Sequence, residues 1–297
     1  MNTISDHLYR WCIWAVLLLG FDMLVACSQD DNSRTVKILK IAVLPDQSES
    51  QLHSKYQPLQ DYIKSRTGLN STLLIPASYK ELLQWFDDKH IDMALFGGVT
   101  YVKAHLQSNA IPLVIRDVDG RFRSIAIVSA NNPASSLQDI KGASLAFGSR
   151  LSTSGHLMPR YFLRQNNIIP EEFFSKILYS GAHDVTAEWV RDGKVEAGLT
   201  HSGIANEMFL DGRLGKDKVK VIWKSPPFAD YVWAVQQDIS KQQRTMIRDT
   251  FLYMNQNDEG KLLLQSLGAN YYIPAGNDDF SKLEQIILQM EQHGHKQ

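Results

Sequence analysis

From residue 36 onward, short apolar runs alternate with stretches whose apolar positions recur every three or four residues. That alternation predicts strands followed by helices. "VKILKIAVL" (36–44) reads as a buried strand. "HSKYQPLQDYIKSRTG" (53–68) reads as a helix that stops at Gly68, with Pro58 near its first turn. A strand at 71–77, a helix at 78–90 capped by Ser78, a strand at 91–97, a helix at 98–107 and a strand at 111–118 continue the pattern. Such alternation predicts an α/β fold with parallel strands. Residues 119–136 read as a connection. A second alternating set follows, with strands at 143–148, 176–181, 195–202 and 218–225. Its helices fall at 153–167, 183–194 and 203–212, and the tail reads as helices at 240–254 and 278–292. Two such sets joined by extended crossings predict two lobes facing a cleft, a usual place for a small ligand.

The segment before residue 36 follows another pattern. Arg10 precedes "WCIWAVLLLGF", an apolar run of eleven residues. A spanning helix needs roughly 20 apolar residues, so this length suits the core of a signal peptide. "LVAC" then ends at Cys27 and resembles the lipobox of bacterial lipoproteins, in which the cysteine is lipidated and the preceding peptide removed. Residues 1–26 are thus expected to be a signal peptide, and 27–35 a polar tether to a membrane. Ser28 after that cysteine leaves the choice of inner or outer membrane open. The chain holds only Cys12 and Cys27, so the mature domain would have no disulfide.

Composition narrows the function class. The formal net charge is −1, with 31 basic and 32 acidic residues; loss of Arg10, Asp6 and Asp22 with the signal peptide leaves 30 of each. Nothing there favours nucleic acid, which needs a basic face. No metal motif, P-loop ending or nucleophile elbow occurs, so no cofactor, metal or catalytic residue is predicted.

Three strand ends run into hydroxyl or small residues and then a helix: "ALFGGVTYV", "AFGSRLSTSGHL" and "LYSGAHDVT". Ligands bind beyond the carboxyl ends of strands in open α/β sheets, and helix starts offer unpaired N–H groups to anions. Ser152, Thr153 and Ser154 exceed what capping one helix needs, and Gly155 admits close approach to the backbone. His183 stands at another helix start and could donate to an oxyanion. Asp184 reads as a first-turn or capping partner, because neighbours on a helix point about 100° apart. His201, at a further strand end, faces the same expected cleft, where a structural role is as consistent with the sequence as a functional one. Asp230 and Tyr231 follow the rigid Pro226–Pro227 pair on the crossing back to the first lobe.

In their order, "YQPLQDYI", "IDMALFGGVTYV", "GSRLSTSGHLMPR", "SGAHD", "GKVEAGL" and "SPPFADYVW" resemble the phosphonate-binding proteins of ABC importers over about residues 36–275. The resemblance implies a type 2 periplasmic-binding-protein fold, with lobe 1 at 36–122, lobe 2 at 123–226, and 227–297 returning to lobe 1. It implies a small phosphorus oxyanion as ligand: phosphonate, phosphite or phosphate-like. The family's oxyanion contacts fall on Ser152, Thr153, Ser154 and His183, its aromatic on Tyr101, and the carboxylate that meets a ligand amine in some members on Asp230. Val232 replaces a frequent proline, and His201 stands near where some aminophosphonate binders carry an acid, so the substituent end is left open. The resemblance implies a monomeric, non-enzymatic, lipid-anchored protein in the periplasm or at the cell surface. Its partner would be an ABC permease, or alternatively a signalling receptor such as a membrane kinase or cyclase.

Overall fold

The structure is a computed structural model, and it describes residues 33–294. Cys27 and the expected signal peptide lie outside the described residues. Among the described residues, no helix is long and apolar enough to cross a membrane.

In chain order the first elements are β1 (Ile38–Val43), α1 (Glu49–Thr67), β2 (Asn70–Leu74), α2 (Tyr79–Asp87), β3 (Met93–Phe96), α3 (Gly98–Ser108) and β4 (Ile111–Arg116). Then come β5 (Ser124–Ser129), β6 (Ser144–Phe147), a π-helical segment (Thr153–Leu157), α4 (Met158–Gln165), α5 (Pro170–Phe173) and β7 (Lys176–Tyr179). The second half of that set is α6 (His183–Arg191), β8 (Ala197–His201), α7 (Ser202–Leu210) and β9 (Val219–Lys224). The chain closes with β10 (Val232–Val235), α8 (Lys241–Leu252), α9 (Asp258–Ser266), β11 (Tyr272–Pro274) and α10 (Ser281–Gly294).

Two sheets result. One has the order β11-β4-β10-β3-β1-β2, the other β7-β6-β8-β5-β9. Neither is wholly parallel, which corrects the expectation. β10 enters the first sheet between β3 and β4, antiparallel to both, and β5 runs antiparallel to β8 and β9. The reason is the path of the chain: a strand returning from the other lobe enters from the opposite end. β5 also lies inside the stretch read as a connection. Its SIAIVS run is buried at five of six positions, as a strand covered on both faces must be.

Helix α1 starts earlier than predicted, so Pro58 falls inside it rather than near its first turn. Proline there removes the bond that residue 58 would give the Ser54 carbonyl. A left-handed Gly68 closes the helix, its N–H reaching the Lys64 carbonyl.

The lobes are joined by two crossings that meet at an antiparallel bridge. Phe122 and Phe228 exchange both backbone hydrogen bonds, at 2.9 and 3.0 Å. Beside it, Arg116 grips Asp119 with both arms of its guanidinium, at 2.7 Å for the closest contact, and donates to the Leu267 carbonyl at 2.7 Å. Asp119 is buried, and its carbonyl accepts the Asp230 N–H at 3.0 Å. The ion pair therefore fixes the turn on which Asp230 rests. Replacing Arg116 with Met would strand a buried carboxylate, a loss of about 3–5 kcal/mol. Chemical denaturation should show that drop, and a loss below about 1 kcal/mol would mean that the pair does not hold the turn.

Candidate functional site

In the π-helical segment the Leu157 and Met158 N–H groups reach back five residues, to the Ser152 and Thr153 carbonyls, and Pro159 follows. Pro159 has no N–H, so the carbonyls of Gly155 and Ser154, which would be its α- and π-type partners, are released. Gly148 N–H takes the Gly155 carbonyl at 2.9 Å, and Ser124 Oγ takes that of Ser154 at 2.7 Å. Both bonds tie the hydroxyl-rich segment to its own lobe. Ser152 caps it by accepting from Gly155 N–H at 2.9 Å. Ser152, Thr153 and Ser154 are all buried.

His183 lies against them. Its Nε2 is 3.4 Å from Ser152 Oγ and 3.5 Å from Ser154 Oγ. On the other side of the ring, the His201 backbone N–H donates to Nδ1 at 3.3 Å. A backbone N–H can only donate, so Nδ1 is the acceptor and Nε2 carries the proton toward the hydroxyls. Burial pushes the His183 pKa down to about 3, so the ring is a neutral donor at physiological pH. Gly155 makes this packing possible, because a β-carbon there would sit 2.8 Å from His183 Cε1.

The start of α3 approaches from the other lobe. Gly98 N–H donates to Asp230 Oδ1 at 2.7 Å, and Val99 N–H to Thr153 Oγ1 at 3.0 Å. Two further bonds cross the cleft at the start of α6. His183 N–H meets the Asp46 carbonyl at 2.9 Å, and Ser48 N–H meets Asp184 Oδ2 at 2.8 Å. Asp184 thus serves the neighbouring lobe rather than the His183 ring. The three helix starts singled out in the sequence come together: the Val99 and His183 amides find acceptors across the cleft, while those of Gly98 and Gly155 find them on their own side.

Asp230 is buried beside Thr153 and Ser154. Burial raises its pKa to about 6, against the opposing pull of the Gly98 N–H and the Thr153 hydroxyl. Tyr231 follows with φ +43°, a left-handed conformation that costs a non-glycine residue on the order of 1 kcal/mol. Its hydroxyl donates to Asp46 Oδ2, and its ring packs against Phe122 and His201. Burial likewise raises the Asp46 pKa to about 6. His201 caps α7, its Nδ1 accepting from Gly203 and Ile204 N–H at 2.7 and 3.0 Å, while its backbone orients His183. Both of its roles here are positional.

Tyr101 is placed elsewhere. Its hydroxyl donates to Asn277 Oδ1 at 2.5 Å, and its ring packs on Phe280. The fourth residue of α3 points along the helix flank into the core, away from the helix start. Tyr79, which the sequence reading missed, is the aromatic beside the cluster. It opens α2 after the Ser78 cap, and its buried hydroxyl has no hydrogen-bond partner. Burial and then the Asp46 charge push its pKa well above the tyrosine range, while Ser152 acts the other way. A groove of about 400 Å³ between the lobes is lined by Tyr79, Gln47 and Ser149. The signal was available, since α2 also starts beyond a strand end, but its first residue is aromatic rather than small.

Among the described residues no cluster of His, Cys, Asp and Glu could hold a metal. The donors around Thr153 are hydroxyls, amides and a neutral imidazole, a set suited to an oxyanion.

A raised carboxyl pKa weakens the folded state as pH climbs from the ordinary 3.8 to about 6, and the penalty is complete above that. For Asp230 it amounts to on the order of 3 kcal/mol. Asp230→Asn keeps an oxygen acceptor for Gly98 and escapes the penalty. Its stability relative to wild type should be most favourable at pH 7–8 and decline as pH falls through 6 toward 4. Denaturation midpoints at several pH values test this; a pH-independent difference would show that Asp230 titrates normally.

The family model for ABC transporter phosphonate periplasmic substrate-binding proteins matches residues 41–280. The chain is 27% identical over 266 residues to a probable ABC transporter phosphite-binding protein, PhnD1, of Prochlorococcus marinus (strain MIT 9301), covering 84% of this chain and 89% of that protein. It is 24% identical over 269 residues to the phosphonates-binding periplasmic protein of Escherichia coli (strain K12), covering 88% and 79%. The solved structure of the Prochlorococcus marinus PhnD1 with methylphosphonate superposes with a TM-score of 0.82 at 26% identity, over 86% of this chain and 98% of that one. The match spans both sheets and every helix start of the cleft, and the chain therefore belongs to the phosphonate periplasmic substrate-binding protein family of ABC transporters.

Proposed function

We propose that the chain is the lipid-anchored receptor of an ABC importer, holding a small phosphorus oxyanion in the cleft and releasing it unchanged to a permease. The observation that carries this reading is the convergence of neutral donors. The Thr153 and Ser154 hydroxyls, the His183 Nε2–H, the start of the π-helical segment and the unpartnered Tyr79 hydroxyl gather at one buried point. No lysine or arginine takes part in the hydrogen bonds of that cluster. Dipoles and hydroxyls bind an anion while leaving its release accessible, as a carrier requires. Tyr79 takes the aromatic role that the resemblance assigned to Tyr101. Asp230, protonated below its raised pKa, donates to a ligand oxygen, and Tyr231 and His201 bound the substituent side with an aromatic wall. The small, closed setting favours phosphite or methylphosphonate over an aminoalkyl phosphonate. Cys27 is the lipid attachment point, and the protein works as a monomer.

Isothermal titration against phosphite, methylphosphonate, phosphate and aminoethylphosphonate tests the ligand class. Saturable binding of phosphite or methylphosphonate is expected, and no heat from any of the four at millimolar concentration refutes the reading. Thr153→Ala and Tyr79→Phe should each weaken binding by about 1–3 kcal/mol, the loss of a hydrogen bond to a charged group. Unchanged affinity would remove that residue from the site. For the anchor, Cys27→Ser should abolish incorporation of labelled fatty acid in bacterial cells; persistent labelling would place the lipid elsewhere.

A further inference from the structure

A second groove, of about 600 Å³, runs between the lobes where α3 and α10 face the 150–164 segment and β7. Its chemistry is the reverse of the cleft's. Arg150 stacks on Tyr179, its guanidinium carbon 3.6 Å from the ring centre. Arg160 reaches the hydroxyl of the same Tyr179 at 3.3 Å and pairs with Glu171 at 2.6 Å. Arg164 lies one helical turn beyond Arg160, on the same side of α4. Three guanidinium groups thus gather around one tyrosine and one carboxylate. The Nε atoms of Arg160 and Arg164 are buried and have no hydrogen-bond partner. His156, also in the groove, has its pKa pushed down to about 4, by burial first and by Arg160 next. Gathering like charges is costly unless counter-charges complete the set. Four cations line the groove, Arg150, Arg160, Arg164 and Lys103, against the two carboxylates Glu171 and Glu291, the second of which pairs with Lys103 at 3.2 Å. The lining also offers an apolar face made by Leu151, Leu157 and Met290.

We infer that this groove is a second binding site, for an organic oxyanion: a carboxylate or a phosphate ester. The arginine cluster holds its head and Leu151, Leu157 and Met290 cover its body. Guanidinium groups match either head with paired hydrogen bonds. The same chemistry is offered by a free metabolite and by the headgroup region of an anionic phospholipid. The site is separate from the cleft: the cleft's hydroxyls, on Ser152, Thr153 and Ser154, and its imidazole, His183 at the start of α6, are absent from the groove's lining.

The test titrates the full chain with phenylphosphate and with benzoate, and in parallel measures co-sedimentation with phosphatidylglycerol and phosphatidylcholine vesicles. Binding in at least one anionic arm is expected, weakened about tenfold by Arg164→Gln and less by Arg164→Lys. Thr153→Ala, in the cleft, should leave it intact. Both arginine variants share the N-terminal segment with wild type, so a difference on vesicles reports the groove, and an unchanged melting temperature shows that the variant is folded. Binding of the soluble anions identifies a free ester or carboxylate as the occupant; binding to phosphatidylglycerol alone identifies a headgroup. The inference falls if neither arm binds, if Arg164→Gln changes nothing, or if Thr153→Ala abolishes binding that Arg164→Gln leaves alone.

Discussion

Everything at the cleft depends on how the start of α3 is satisfied. A helix start leaves amides in need of acceptors, and here one finds a carboxylate and the next a hydroxyl from the opposite lobe. Asp230 is the acceptor that the first lobe supplies for itself. It reaches that position because the returning chain inserts β10 between β3 and β4, and because the Arg116–Asp119 pair fixes the turn beneath it. Thr153 is the acceptor that the second lobe brings. One helix end therefore couples the fold of one lobe to the position of the other.

The cluster contains raised carboxyls and lowered imidazoles, and burial is the main cause of both. Burial discourages charge of either sign: the His183 and His201 rings are neutral at neutral pH, whereas Asp230 and Asp46 hold their protons only below about pH 6. Among the donors, specificity then comes from direction rather than from charge. The His201 amide sets which nitrogen of His183 carries the proton, and Pro159 frees the carbonyls that anchor the hydroxyl segment. Each is a positioning device one layer behind the groups it serves.

Much of this was legible in the chain. The α/β alternation, the hydroxyl triplet and the three helix starts are local patterns, and local patterns survive in a sequence. What escaped was long-range. Nothing in VWAV says that it enters a sheet between two earlier strands, since antiparallel insertion depends on the path of the whole chain. The SIAIVS run was readable as a strand but was overshadowed by its flanking turn residues. Tyr101 and Tyr79 both sit near helix starts, yet only the packing of Phe280 and Asn277 against Tyr101 turns it from the cleft. His201 was ambiguous for the same reason: capping and ligand contact need the same ring nitrogens, and geometry alone assigns them.

The Phe122–Phe228 bridge has a kinetic consequence. The two crossings are stitched side by side along a short strip, Asp119 to Asp230, Phe122 to Phe228 and Ser124 to Ser225, like covers on one spine. Bonds span the cleft from Val99 to Thr153, His183 to Asp46, Ser48 to Asp184 and Lys55 to Glu207, and any separation of the lobes has to break them. The dwell time of a captured molecule is then governed by the summed strength of those seams as well as by its own contacts, and a docking partner need only pry one lobe to shorten it.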